Sequence, residues 1–183
     1  MTRSKDGLRV VITLTDKDAN AIKADDKLLE KAASTYLSLS ADFIVDMATN
    51  DIAGIASSDA KLVAQFVDDS KKPSLLEFDI DMNQETLTSS FSETMDETTL
   101  VPKAITLQQT QGAKSNLRHQ LTTSKVTTTS PGLVLKIKLS LADMHILKQK
   151  EIASTKDKVF LSFAATGAKD VGGVNGKLRQ RPP

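Results

Sequence analysis

The chain has no cysteine, no tryptophan and one tyrosine in 183 residues. Without cysteine there can be no disulfide, no thiolate metal site and no cysteine nucleophile. Aromatics make up only 4% of residues, so material for stacking sugars or nucleobases is scarce. No apolar run approaches the roughly 18 residues of a membrane helix, and no membrane insertion is expected. Residues 1–8, Met-Thr-Arg-Ser-Lys-Asp-Gly-Leu, contain no stretch resembling a signal peptide. A mature secreted fragment would look the same. Histidine occurs twice, at His119 and His145, too sparsely to hold zinc without a set of carboxylates, and both are read as surface residues. No Gly-x-Ser-x-Gly elbow surrounds any serine, and Gly172 and Gly173 lack the Lys-Ser of a phosphate-binding loop. These absences argue against an enzyme.

What is present suits a globular chain with a modest core: 39% hydrophobic and 26% charged residues. The net charge of +1 conceals an asymmetry. From Pro73 to Val101 there are seven carboxylates and no Lys or Arg, while from Gly132 to Pro183 ten basic residues face four acidic ones. Such a division can steer one module against the next. A nucleic-acid partner is not expected, because Phe91, Phe160 and Phe163 fall at strand positions suited to burial. The basic tail Lys177–Pro183 is read as a linker.

The chain also repeats itself. At a shift of 125 residues, Gly7, Leu8, Ile12, Leu14, Asp18 and Lys23 coincide with Gly132, Leu133, Ile137, Leu139, Asp143 and Lys148. Thr15 then meets Ser140, and Ile22 meets Leu147. After a one-residue slip, Leu37, Ser38 and Asp46 coincide with Leu161, Ser162 and Asp170. A repeat of this kind signals one supersecondary unit built twice. In each copy apolar residues alternate, Leu8 to Leu14 and Leu133 to Leu139, as in a half-buried strand. Each strand runs into a short helical segment. Thr15 or Asp16 is placed to cap the first and Ser140 the second, over Leu141 to Gln149. A second strand is expected at Tyr36–Ala41 and at Val159–Ala164, followed by a polar turn at 46–51 and at 170–176.

Between the copies, residues 73–130 read as further short strands at Leu75–Met82, Thr86–Phe91, Ala104–Gln108 and near Gln120–Thr129, with turns at 82–84, 96–99 and 111–112. Many short strands separated by polar turns point to a mainly β fold of antiparallel sandwich type. Its expected core contains Leu87, Phe91, Ile105, Leu107, Leu135, Ile137, Leu139, Leu161 and Phe163. Residues 71–183 would form one nearly complete module, preceded in 1–70 by the C-terminal half of another. Pro73 marks the junction.

Three stretches carry a resemblance. These are Leu87–Leu100 (Leu-Thr-Ser-Ser-Phe-Ser-Glu-Thr-Met-Asp-Glu-Thr-Thr-Leu), Ala104–Leu107, and the turns Val45–Asn50 and Lys169–Asn175. They resemble the bacterial-type immunoglobulin-like repeats stacked in surface-layer proteins and in large secreted proteins of bacteria and marine protists. Thr49 stands where that family usually has Gly, and an extra residue separates Gly173 from Asn175. The resemblance implies immunoglobulin-like sandwich modules, each with a short helical segment, in an extracellular or cell-surface protein. The role it implies is structural or adhesive, with neighbouring modules, other surface proteins or glycans as partners. A carbohydrate-recognising accessory domain is the alternative. Phe91 would fill the space between the sheets while Ser92 and Glu93 leave it.

No cofactor is expected except calcium. Asp68 and Asp69 at the junction, with Asp79 and Asp81 on one face of the following strand, offer hard oxygen ligands that would stiffen two modules against each other.

Overall fold

A computed structural model describes residues 7–25, 27–164 and 167–171. The chain is mainly β. Among the described residues ten strands run in the order β1 Tyr36–Leu37, β2 Lys61–Leu62, β3 Leu75–Asp81, β4 Thr86–Asp96, β5 Ile105–Gln108, β6 Arg118–Gln120, β7 Lys125–Val126, β8 Gly132–Lys138, β9 Phe160–Phe163 and β10 Lys169–Asp170. The same residues include two α-helices, α1 (Asp16–Ala24) and α2 (Leu141–Gln149).

All strand pairs are antiparallel, in three sheets. The largest is centred on β4, which pairs with β8 on one side and with β3 and then β10 on the other; β7 flanks β8. A second sheet runs β6-β5-β9, and β1 and β2 form a small ribbon. Leu87, Phe91 and Met95 of β4, Leu135 and Ile137 of β8, Ile105 and Leu107 of β5 and Leu161 of β9 lie in one buried cluster with Leu139, Met144, Leu147 and Ile152. The two larger sheets thus share a core. Period-two alternation along each strand places these side chains on the inner face, and their burial removes apolar surface from water at roughly 25 cal/mol per Å². Eight of the nine expected core residues are buried, and Phe163 packs half-buried against the same cluster.

β4 is longer than its pattern suggested, because it does not remain regular. Between Ser90 and Met95 it slips against β8, so that four residues oppose the single Leu133. A bulge of this size breaks the alternation and turns the strand. Thr94 is consequently buried as well, between Glu93 and Met95, which continue the buried alternation of Leu87, Ser89 and Phe91. This corrects the expectation that Glu93 leaves the core side: it is 3% exposed.

The N-terminal third behaves differently. Among the described residues from 7 to 72, Thr35 alone is buried. The strand expected over Leu8–Leu14 does not form: the segment carries no strand assignment, and Leu8, Val10, Ile12 and Leu14 are all exposed. A strand is defined by its partner, and among the described residues this one has none. The second expected strand survives as β1 with an isolated bridge from Leu39 to Ile55. α1 holds this region to the larger sheet through Thr94 of the β4 bulge, whose Oγ1 donates to Asn20 Oδ1 at 3.1 Å.

Candidate functional site

α2 brings the most concentrated polar chemistry into the core. Ser140 caps the helix by accepting from the Asp143 N–H at 3.1 Å. Capping fixes Asp143 in the first turn, where the helix dipole favours a carboxylate. Its side chain is fully buried, yet it is saturated with donors. Oδ1 accepts from His119 Nε2 at 2.8 Å and from the Thr122 N–H and hydroxyl at 3.0 and 2.8 Å. Oδ2 accepts from the Thr123 N–H at 3.2 Å, the Ser124 N–H and hydroxyl at 3.1 and 2.7 Å, and the Ser140 hydroxyl at 2.8 Å. Burial alone would raise the carboxyl's pKa. The bonds from Ser124, His119, Ser140 and Thr122 outweigh it and hold the group well below the usual carboxylate range. Since an ionised carboxylate only accepts, His119 carries its proton on Nε2.

Aspartate, histidine and two serines in one place invite comparison with a hydrolytic triad. In a triad, the histidine receives the serine hydroxyl and the aspartate orients the histidine. Here both serine hydroxyls donate to the carboxylate itself. They are spent on holding an anion. The cluster therefore works as a brace that ties the 122–124 loop and β6 to α2. It also corrects the surface reading of His119, which is buried, whereas His145 is exposed as expected.

A second polar cluster lies where α1 meets the β4 bulge. Lys23 Nζ is 2.7 Å from Asp69 Oδ2 and 3.1 Å from Glu93 Oε2, and Lys71 Nζ is 3.1 Å from Glu93 Oε1. Burial works against the Lys23 charge, but bonds to Asp69 and Glu93 raise its pKa overall, while Lys23 lowers that of Asp69. Beside this network opens a cleft of about 550 Å³ whose lining includes Leu14, Ile22, Leu28, Phe66, Val67 and Val171, with Lys23, Asp68 and Asp69.

Of the four candidate calcium ligands, Asp69 joins Glu93 and Asp170, one oxygen from each lying within 4.8 Å of the others. Asp68 is exposed at the cleft. Asp79 and Asp81 are exposed on β3, and Asp81 Oδ1 is occupied by the N–H groups of Asn83 and Gln84, both at 2.8 Å, which closes the β3–β4 turn. The Lys23 ammonium already sits on Asp69 Oδ2 and Glu93 Oε2 and would compete with a cation there. No known protein family, curated protein or solved structure matches the chain. Function rests on the geometry alone.

Glu93 is what makes Lys23 matter. Replacing Lys23 with Met is expected to cost about 1–2 kcal/mol in urea unfolding, since it removes a charged hydrogen bond from a buried carboxylate. Lys71→Met should stay within about 0.5 kcal/mol, because that side chain is 75% exposed. Equal losses at the two positions would show that Glu93 is not held in the way described.

The turn at 46–51 is built as its composition suggested. Asp46 Oδ1 accepts from the N–H groups of Ala48 and Asn50 at 2.8 and 2.9 Å, and Asn50 Nδ2 donates to Asp46 Oδ2 at 3.0 Å. The Asn50 bonds hold the Asp46 carboxyl below its ordinary range. Thr49 has φ +68°, the left-handed conformation that its glycine counterpart would adopt without strain. Thr49→Gly should therefore stabilise this region by about 0.5–1 kcal/mol after allowing for glycine's unfolded-state entropy. Tyr36, the sole tyrosine, lies in the neighbouring ribbon and reports the change by fluorescence in a urea titration. A loss of stability would contradict the strain argument. The second turn continues into 172–176, and it lies outside the described residues, as does the basic tail.

Proposed function

We propose that this chain is a non-catalytic structural or adhesive element of a repetitive extracellular or cell-surface protein, built from immunoglobulin-like sandwich modules. The observation that carries this reading is the recurrence of one capped unit. α1 and α2 each span nine residues, with bounds offset by the same 125 residues that align the sequence copies. In each, a hydroxyl residue caps the helix and donates to the aspartate three residues on: Thr15 to Asp18 Oδ2 at 2.7 Å, and Ser140 to Asp143 Oδ2 at 2.8 Å. An equivalent unit at fixed spacing is the way stacked modules are made. Two antiparallel sheets sharing one core support the sandwich part of the reading.

The polar clusters fit the same role. The Asp143 cluster braces a module internally, and the Lys23 network joins α1 and residues 69–71 to the larger sheet. Neighbouring modules, other surface proteins or glycans are the partners this implies. Calcium at Asp69 would compete with Lys23. No helix among the described residues is long and apolar enough to cross a membrane. An antibody raised against the chain should label intact, unpermeabilised cells of the source organism or their secreted matrix. Labelling that requires permeabilisation would sink the proposal, and Tyr36-dependent binding on a glycan array would favour the carbohydrate-recognising alternative.

A further inference from the structure

We infer that the arm Leu8–Leu14 pairs, as an added strand, with the open edge of β3 in a second copy of this chain. Four observations carry the inference. The arm alternates apolar residues in the pattern of β8, its counterpart in the second copy of the repeat, and β8 buries Leu135 and Ile137 inside a sheet. The arm's own apolar residues face water: Val10 is 46% and Ile12 57% exposed. Exposing such a row costs free energy that a sheet would recover.

A receiving edge is also present. β3 pairs with β4 on one side only, and among the described residues no strand lies on its other side. At seven residues it is the longest edge strand among the described residues, and as long as the arm. Its two faces are chemically distinct. Phe78 and Ile80 pack towards the core, while Glu77, Asp79 and Asp81 are exposed on the outer face.

Charge then selects the partner. A row of carboxylates blocks the simplest edge contact, β3 of one molecule against β3 of another, because like charges would stand opposite each other. The arm carries Arg9 and no carboxylate from Gly7 to Thr15. Set antiparallel or parallel with Leu8, Val10, Ile12 and Leu14 on the side of Phe78 and Ile80, the arm presents Arg9, with Val11 and Thr13, on the acidic face. Main-chain pairing supplies affinity and the two faces set the register, as in other strand additions. Arm and edge are different surfaces, so the contact is head-to-tail and propagates from copy to copy unless a ring closes. This goes beyond the surface-module reading and stands without it, since any chain with this arm and this edge would pair in the same way.

The experiment is sedimentation velocity on the full chain from low micromolar to near-millimolar concentration, with hydrogen exchange at both extremes. The weight-average mass should rise at least twofold across the range, with new protection confined to Leu8–Leu14 and β3. Ile12→Pro, at an exposed and unpaired position, leaves the core intact and should hold the mass at that of a monomer. Charge reversal by Glu77→Lys with Asp79→Lys should weaken association at least tenfold, and adding Arg9→Glu should restore most of it. The inference is overturned by a wild-type chain that stays monomeric throughout, by association that survives Ile12→Pro, or by arm protection that does not depend on concentration.

Discussion

Replacing Asp143 with Asn should destabilise the fold by about 3–5 kcal/mol, the usual cost of breaking a buried, fully partnered charge. The reason lies in the donors. Hydroxyl groups can rotate and accept from an amide, but a backbone N–H cannot. If the amide nitrogen takes the Oδ2 position, it confronts the N–H groups of Thr123 and Ser124. If it takes the Oδ1 position, it confronts Thr122 N–H and His119. Either orientation leaves buried donors unpaired. Urea unfolding of the two proteins at neutral pH measures the difference, and a loss below about 1 kcal/mol would show that the cluster is not a brace.

Acid should erase this advantage. Because the folded carboxyl is held below its ordinary range, the unfolded chain takes up this proton first as pH falls. The stabilisation is therefore complete well above about pH 4, where the unfolded group titrates, and is lost progressively as pH drops towards the lower folded value. The gap between wild type and Asp143→Asn should narrow below about pH 4 and stay constant above about pH 5. A gap that widened in acid would reverse the assigned sign.

The second large effect separates β8 from the exposed segment Leu8–Leu14, which shares its apolar alternation. In dilute monomer, the amides of Leu133–Lys138 that bond to β4 or β7 should exchange on the order of a thousandfold or more slowly than those of Leu8–Leu14. β8 is paired on both sides and anchored by Leu135 and Ile137, each 1% exposed. Its opening therefore requires most of the core to open. Equal protection of the two segments at low concentration would mean that the arm is complete within one chain.

Much of this was legible in the residues themselves. Ser140 followed three positions later by Asp143 announced the cap and the bounds of α2, because capping is a local bond whose geometry depends on spacing alone. Alternation identified Leu87, Leu135 and Ile137 as core for the same reason: a strand's two faces are determined by a period of two, whatever it packs against. The Asp46–Asn50 turn was visible because a side chain bonding its own backbone requires no distant partner, while the left-handed backbone at Thr49 came only from the structure.

What the residues could not show was everything that depends on a partner far along the chain. His119 and Asp143 are 24 residues apart and meet only because β6 and α2 flank the same core. Glu93 read as outward-facing because it is charged, yet it lies two residues on from Phe91 and shares its buried face, where Lys23, 70 residues away in sequence, meets it. The Leu8–Leu14 arm has the pattern of β8 and finds no partner strand among the described residues, since alternation specifies which face is apolar but not what will cover it. Local chemistry is set by neighbours in sequence, whereas burial and strand pairing are set by which surfaces the folded chain brings together. In this protein the sequence by itself determined the capped helices, the turns and the apolar faces, and the tertiary structure decided which of those faces became a core and which remained an edge.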